Sequence, residues 1–345
     1  MILILNVCVI DHIVIAQQRE GNETSKTLRI AVPVKDGFKE FANIKYDPTT
    51  REPTFGGFSI DIFKAVVNTA MPYTILYEFV PFAKSDGTMN GTYDDMVKAV
   101  FSGDYDAAVG DITIRYYRTE WVDFTMPYSD TGVSMLVPLR QKNGGTNSGS
   151  SPTKLTKGLI GATAGICFLC LIAALIPLFF DSGYQTGSFI KSVLLARGFS
   201  ESQLKSFSSI DELYNLLSKG TEQGGIDAAI EETPFLKLFL TQHCNAYTIV
   251  ASADMHADGF GFAFPKGSDL VHDVSVAILK VTNNDPQLRN ITKRTIGNLD
   301  TCLADVSTDY DVLFNWESSK WILIAGGISV VLLIIILTLG CLKKS

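Results

Sequence analysis

The sequence predicts an α/β protein built as two similar lobes, and three observations carry that reading. The chain has 345 residues, more than one ordinary core holds and enough for two lobes with additions. A strand–helix–strand pattern opens its polar part. One supersecondary unit is then written twice, over 92–111 and again over 209–232.

After the polar stretch Gln17 to Thr27, LRIAVPV (Leu28 to Val34) is short, apolar and β-branched, as a strand is. Ile60, Phe63, Val66 and Val67 recur at helical spacing within Gly56 to Met71, and ILYEFVPF (Ile75 to Phe82) reads as a second strand. Strand, helix and strand in succession predict parallel pairing. The repeated unit follows. Thr92 with Asp95, and Ser209 with Glu212, form capping boxes before amphipathic helices. Gly103 and Gly220 stop those helices. Each copy enters a buried strand, Asp-Ala-Ala-Val or Asp-Ala-Ala-Ile, where the small Ala pair lets a helix pack closely. Each copy closes on acid, at Asp111 and at Glu231–Glu232. The carboxyl ends of such strands face a ligand crevice.

Hydrophobic residues make up 46% of the chain, charged residues 19%, and the net charge is −7. This composition excludes disorder, and the lack of a basic block argues against a nucleic-acid partner. Trp321 to Leu342 carries no charge and has the length of a membrane-spanning helix; Lys343 and Lys344 after it place the C-terminus in the cytoplasm. Gly158 to Phe180 also has spanning length, with Cys167 and Cys170 read as small residues compatible with lipid. Residues 1–27 form an apolar then polar leader, either a signal peptide cut after Ala16 or the remnant of an upstream domain. A Gly/Ser-rich linker occupies 141–157 and a juxtamembrane stretch 306–320. Asn22, Asn90 and Asn290 begin glycosylation sequons. Of six cysteines only Cys244 and Cys302 lie in polar sequence; they are either a disulfide or two free thiols.

Several residues suit a small zwitterionic ligand, each with a plainer alternative. Arg118 follows DITI (Asp111 to Ile114), read as a strand, where a guanidinium can fork onto a carboxylate. The alternative is a surface Arg paired with Glu120 or Asp123. Thr113 and the Asp111 backbone can add a hydroxyl and an acceptor. Gly187-Ser188-Phe189 opens a helix with apolar positions Phe189, Val193 and Leu194; its free amides favour an anion, or Ser188 is an ordinary N-cap. Glu231 or Glu232 can hold an ammonium, or the two form a solvated acidic turn. Phe55 and Phe260, beside Gly-rich turns, can cover a ligand or pack in a core. His243 beside Cys244 lacks the spacing of a metal site, and no catalytic pattern or cofactor motif is present.

LRIAVPVKDGFKEF, FGGFSIDIF, AAVGDITIRYYRTEWVDFTMPY, GYQTGSF, EETPFLKLFL and DGFGFAFPKGSDLVHDVSVAIL together resemble the ligand-binding core of the ionotropic glutamate receptor family, nearest its plant glutamate-receptor-like members. The resemblance spans Leu28 to Leu139, Gly183 to Cys302 and the final apolar helix. It implies a two-lobed clamshell like that of periplasmic binding proteins, with 28–140 mainly lobe one and 181–305 lobe two returning to lobe one. It implies that Arg118 grips the α-carboxylate of an amino acid in the interlobe cleft, with Thr113 and the Asp111 backbone beside it. Ser188 and Phe189 mark the helix start in lobe two, and Glu232, with Glu231 next to it, holds the amine. Phe55 and Phe260 are the aromatic lids, and Cys244 pairs with Cys302. It further implies extracellular lobes at a plasma membrane, contact with lipid, and tetramers with like or related subunits.

One departure is large. The family carries a pore unit with a SYTASL-like gate between the two binding segments, and here the single run 158–180 stands in its place. A single crossing would separate the lobes, and Lys142, Lys154 and Lys157 would put lobe one inside. The sequence therefore leaves three readings: a subunit of a ligand-gated cation channel, a membrane-tethered amino-acid sensor or decoy without conduction, and an enzyme on the same clamshell. The missing acid–base pattern argues against the last.

Overall fold

The computed structural model describes residues 26–141, 181–251, 257–283, 285–298 and 310–312. The apolar runs at 158–180 and 321–342, the leader, Asn22 and Cys302 lie outside them. Among the described residues no helix is long and apolar enough to cross a membrane. The chain divides into two compact units. The first comprises residues to Lys35, Glu40–Tyr128 and Phe260–Ile291; the second comprises Asp36–Lys39, Ser129–Gly259 and the residues from Thr292.

In the first unit β1 (Leu28–Pro33) is followed by a hairpin, β2 (Asn43–Tyr46) and β3 (Pro53–Gly56), and then by α1 (Phe58–Ala65). The expected helix over 56–71 is thus shorter: Gly57, at φ 102°, is its N-cap, and a π-helical turn over Val66–Ala70 ends it. Next come β4 (Tyr77–Phe82), α2 (Tyr93–Phe101), the two-residue β5 (Ala107–Ala108) and β6 (Val122–Phe124). After its excursion into the second unit the chain returns as β12 (Ala263–Pro265), α6 (Leu270–Asn283) and α7 (Asp285–Thr295), whose residues from Thr292 belong to the second unit. The sheet runs β4-β1-β5-β12-β6. Its β1–β4 and β1–β5 pairs are parallel, as the β-α-β reading requires, and β12 is antiparallel to both neighbours.

In the second unit β7 (Val133–Gln141) precedes β8 (Ser182–Gln185), α3 (Ile190–Ala196), β9 (Leu204–Phe207), α4 (Ile210–Lys219), β10 (Ala228–Glu232), α5 (Thr233–His243), β11 (Tyr247–Ala251) and β13 (Tyr310–Val312). The sheet order is β11-β7-β10-β8-β9, with β13 beside β7, and β8 pairs in parallel with both β9 and β10.

The repeat seen in the sequence is therefore one part of a larger one. Each unit contains a β-α-β-α-β run whose first strand lies between the other two: β4-β1-β5 in one, β9-β8-β10 in the other. The Ala pairs of β5 and β10 are fully buried. Met96, Val97 and Val100 of α2 pack against Ala108. Thr92 and Asp95 form the complete capping box, and Gly103 (φ 83°) and Gly220 (φ 64°) take the positive φ of a helix stop. The second box is only half built: Ser209 accepts from the Glu212 amide, but the Glu212 carboxylate turns to the amide of Ser208.

The first turn of α2 carries Tyr93 and Asp94, which bond to Asp111 and Arg118, so its cap has a measurable weight. Thr92→Ala removes the oxygen that receives the Asp95 amide and is expected to cost about 1 kcal/mol of stability. Urea unfolding with an unchanged midpoint would contradict this.

Candidate functional site

Each unit brings candidate residues together at the carboxyl end of the third strand of its β-α-β-α-β run. In the first unit the chain leaves β5 through Gly110. A Cβ at Gly110 would lie 2.6 Å from Pro33 Cδ, so only glycine fits between this segment and the end of β1. DITI is extended but is not the expected strand. Thr113 forms an isolated bridge to Phe260, and Ile112 O accepts from the Gly261 amide at 3.0 Å. The ladder of β5 ends because its antiparallel neighbour β12 begins only at Ala263, level with Ala108.

Arg118 sits in a 3-10 turn, Tyr116–Glu120, and is 7% exposed. Its burial excludes the surface alternative, and its partner is neither Glu120 nor Asp123. Nε donates to Asp94 Oδ1 at 2.7 Å and Nη1 donates to the carbonyl of Thr113 at 2.8 Å, while the Tyr117 ring lies beside the guanidinium. Nη2 makes no hydrogen bond among the described residues. Asp111 is 4% exposed and its carboxylate is held twice, by the Lys35 ammonium and by the Tyr93 hydroxyl at 2.6 Å. Burial, reinforced by the Asp111 charge, pushes the Tyr93 phenol well above its ordinary range, so it remains a donor. Tyr128 donates to the Gly110 carbonyl, and burial raises its phenol too.

Phe260 is fully buried, with its ring against Phe41 (5.7 Å) and Tyr128 (6.4 Å). Core packing, the plainer alternative, describes it better than a lid does. Phe55 is half-buried in β3 with its ring 5.4 Å from that of Phe79.

In the second unit Glu231 and Glu232 are both buried, which excludes a solvated acidic turn. Successive strand residues face opposite sides. Glu231 is fully buried; Oε2 accepts from the Gln185 amide at 2.9 Å, and Oε1 accepts from the Ser188 hydroxyl and the Glu232 amide, both at 3.0 Å. Glu232 is the N-cap residue of α5, before Pro234 in the first turn. Ser188 also accepts from the Ile190 amide at 3.2 Å. The helix itself begins later than expected, at Ile190 with Phe189 as N-cap, and its buried positions are Ile190 and Leu194 rather than Phe189 and Val193. Phe189 is half-buried against the cluster around Ile190.

Outside these two groups, Asn90 and Asn290 are exposed. Cys244 follows the last residue of α5, and its expected partner Cys302 is outside the described residues. The His243 ring stacks on Tyr214 at 4.4 Å, and burial lowers its pKa below the ordinary histidine value. No group of three or more potential metal ligands occurs among the described residues. Sequence reasoning missed Lys35, Tyr93 and Asp94. The only signal was the run of polar residues at the start of α2, which a capping reading had already absorbed.

Residues 26–141 match the family described as "Ligated ion channel L-glutamate- and glycine-binding site". The chain is 34% identical to Glutamate receptor 2.5 of Arabidopsis thaliana over 413 aligned positions, covering 95% of this chain and 44% of that protein. It is 32% identical to Glutamate receptor 2.6 of the same plant, covering 89% of this chain and 40% of that protein. The chain thus spans less than half the length of these relatives. An alignment of 413 positions against a chain of 345 residues also leaves the relative with a stretch that this chain lacks. Among solved structures, the AvGluR1 ligand-binding domain in complex with serine is similar at a TM-score of 0.51 and 22% identity, covering 80% of this chain and 98% of that one. Its complex with phenylalanine gives the same TM-score, covering 81% and 98%. This likeness shows the fold: a two-lobed α/β architecture of the periplasmic-binding-protein type.

The buried Lys35–Asp111 pair makes the first unit sensitive to the loss of either charge. Lys35→Met strands a carboxylate that is almost wholly out of water and is expected to cost about 3–5 kcal/mol. Adding Asp111→Asn recovers part of that loss. Equal unfolding midpoints for wild type and Lys35→Met in guanidinium would show that the pair is not buried as described.

Proposed function

The chain belongs to the ionotropic glutamate receptor family, on its plant glutamate-receptor-like side, and from that premise we propose that it is an amino-acid-binding subunit of a glutamate-receptor-like cation channel. The first unit takes the carboxylate of the ligand and the second takes its ammonium. The observation that carries this reading is Arg118: a buried guanidinium beyond β5, anchored through Nε and Nη1, with Nη2 still to be met. A planar fork of N–H donors in a site of low water content is the natural partner of a carboxylate. The Thr113 hydroxyl and the Asp111 carbonyl supply polar groups beside it.

In the second unit Glu231 supports the ammonium role. Its carboxylate shares the Ser188 hydroxyl and the Gln185 amide, so the negative charge is fixed at the Gln185–Ser188 loop. Glu232, the acid that the family resemblance favours, stands at the start of α5 on the other side of the strand. Phe189 beside this loop suits ligands less polar than glutamate. AvGluR1 complexes include serine, phenylalanine and glutamate, so one architecture of this kind accepts varied side chains. The reading involves no bond-making, and the chain acts as a receptor rather than an enzyme. Its lobes face the cell exterior, Asn22, Asn90 and Asn290 carry glycans, and Trp321 to Leu342 anchors it in the plasma membrane beside related subunits.

Ligand binding can drive a conformational change only through unequal affinity for two states. In a channel that difference must reach a pore. The alignment excess of the Arabidopsis relative favours a second reading, a membrane-tethered sensor or decoy that binds without conducting.

Titration calorimetry on the full chain with a panel of L-amino acids is expected to give saturable binding that Arg118→Ala weakens by at least about a hundredfold, since a buried charge-assisted pair is lost. Binding that survives the substitution would remove Arg118 from the site. Current recordings from the chain expressed alone separate the two readings: ligand-gated current supports the channel, and binding without current supports the sensor.

A further inference from the structure

We infer that Asp94 is a positioning residue for the ligand carboxylate: it holds Arg118 by Nε so that Nη2 is the donor presented to the ligand. This rests on the amino-acid reading and deepens it. Asp94 is the second residue of α2, directly after the Thr92 cap, in a turn whose backbone the capping box fixes. The Asp94 side chain is 35% exposed whereas that of Arg118 is 9% exposed, so the carboxylate reaches in from the solvent side to a guanidinium that the protein buries. Tyr117 adds its hydroxyl to the same Oδ1 at 3.4 Å. The neighbouring Tyr93 holds Asp111. One helical turn therefore grips both ends of the segment 111–118, and with it the Thr113 carbonyl that takes Nη1.

Two roles for Asp94 are physically distinct. As a competitor it would neutralise Arg118 and oppose an incoming carboxylate; removing it would tighten binding. As a positioning group it supplies an acceptor to Nε, and what matters is the acceptor rather than its charge. The geometry favours positioning. The contact uses Nε alone, through a single oxygen, and no second Asp94 oxygen bridges to Nη2. Nη2 is left without a contact to Asp94. A guanidinium without its Nε anchor regains side-chain rotation, and that freedom must be lost again on binding.

The test is calorimetry on the full chain in detergent micelles with L-serine, L-phenylalanine and L-glutamate as probes, each compared with its α-amide, which lacks the carboxylate. Asp94→Ala is expected to weaken each acid that binds by about tenfold or more, as loss of a charge-assisted hydrogen bond implies. It leaves the corresponding amide unchanged. Asp94→Asn, which keeps an oxygen for Nε, should stay within about threefold of wild type. Circular dichroism establishes that each variant is folded, and Asp94→Asn alone still separates the roles, since a competitor would make it bind the acids more tightly. The inference is overturned if Asp94→Ala binds the acids as tightly as wild type or more so. It is also overturned if acid and amide weaken together, or if Asn and Ala lose affinity equally. A folded wild-type chain that binds none of the probes would overturn the amino-acid reading itself, and this inference with it.

Discussion

A guanidinium cannot be withdrawn from water unless acceptors meet it, and the first unit is arranged around that requirement at Arg118. Nε needs an acceptor, which the first turn of α2 provides as Asp94. Nη1 needs another, which the chain itself provides as the Thr113 carbonyl, five residues back. That carbonyl is available because the segment after β5 does not continue as a regular ladder; had DITI been a full strand, more of its peptide oxygens would be spent on neighbours. The second buried charge pair, Lys35 with Asp111, secures the other end of the segment. Lys35 follows β1 and Asp111 follows β5, the two parallel strands at the middle of the sheet. Fold and site are thus one construction: parallel strands deliver two loops to the same edge, and buried charges fix where those loops stand.

The second unit solves a matching problem with different chemistry. Near the end of its third strand Glu231 accepts from the Gln185 amide and the Ser188 hydroxyl at the end of the first strand and the loop after it. The consequence is electrostatic. In the first unit the Asp111 charge is cancelled by Lys35, and Arg118 presents donors. In the second unit Glu231 brings a buried carboxylate to the Gln185–Ser188 loop. Duplicated topology thus carries different ionic groups in the two units.

How much of this was legible in the sequence depended on range. Features set within one turn could be read directly: the Thr92–Asp95 box, the stops at Gly103 and Gly220, and the buried Ala pairs. Features set by partners distant in sequence could not. Asp94 and Arg118 are joined across 24 positions, and Lys35 and Asp111 across 76. Nothing in their local spacing announces either pair. DITI was misread because apolar alternation describes an extended chain, whether or not a neighbour completes its ladder. α3 starts one residue later than a Ser188 cap predicts, with Phe189 as N-cap, while Ser188 donates to Glu231 and accepts from the Ile190 amide. Of the two roles the glycines around Phe260 leave open, cover or core, its burial among Phe41 and Tyr128 matches core.

The central claim is that an amino acid is held by the segment after β5 in one unit and by the Gln185–Ser188 loop with Glu231 in the other. Hydrogen exchange of the full chain, with and without a saturating amino acid, tests it directly. The account predicts slower exchange of the amides at 111–118 together with those at 185–190 and 231–233. Protection confined to one unit, or found instead at the surface groove lined by Val67, Met71, Tyr73 and Ile75, would contradict it.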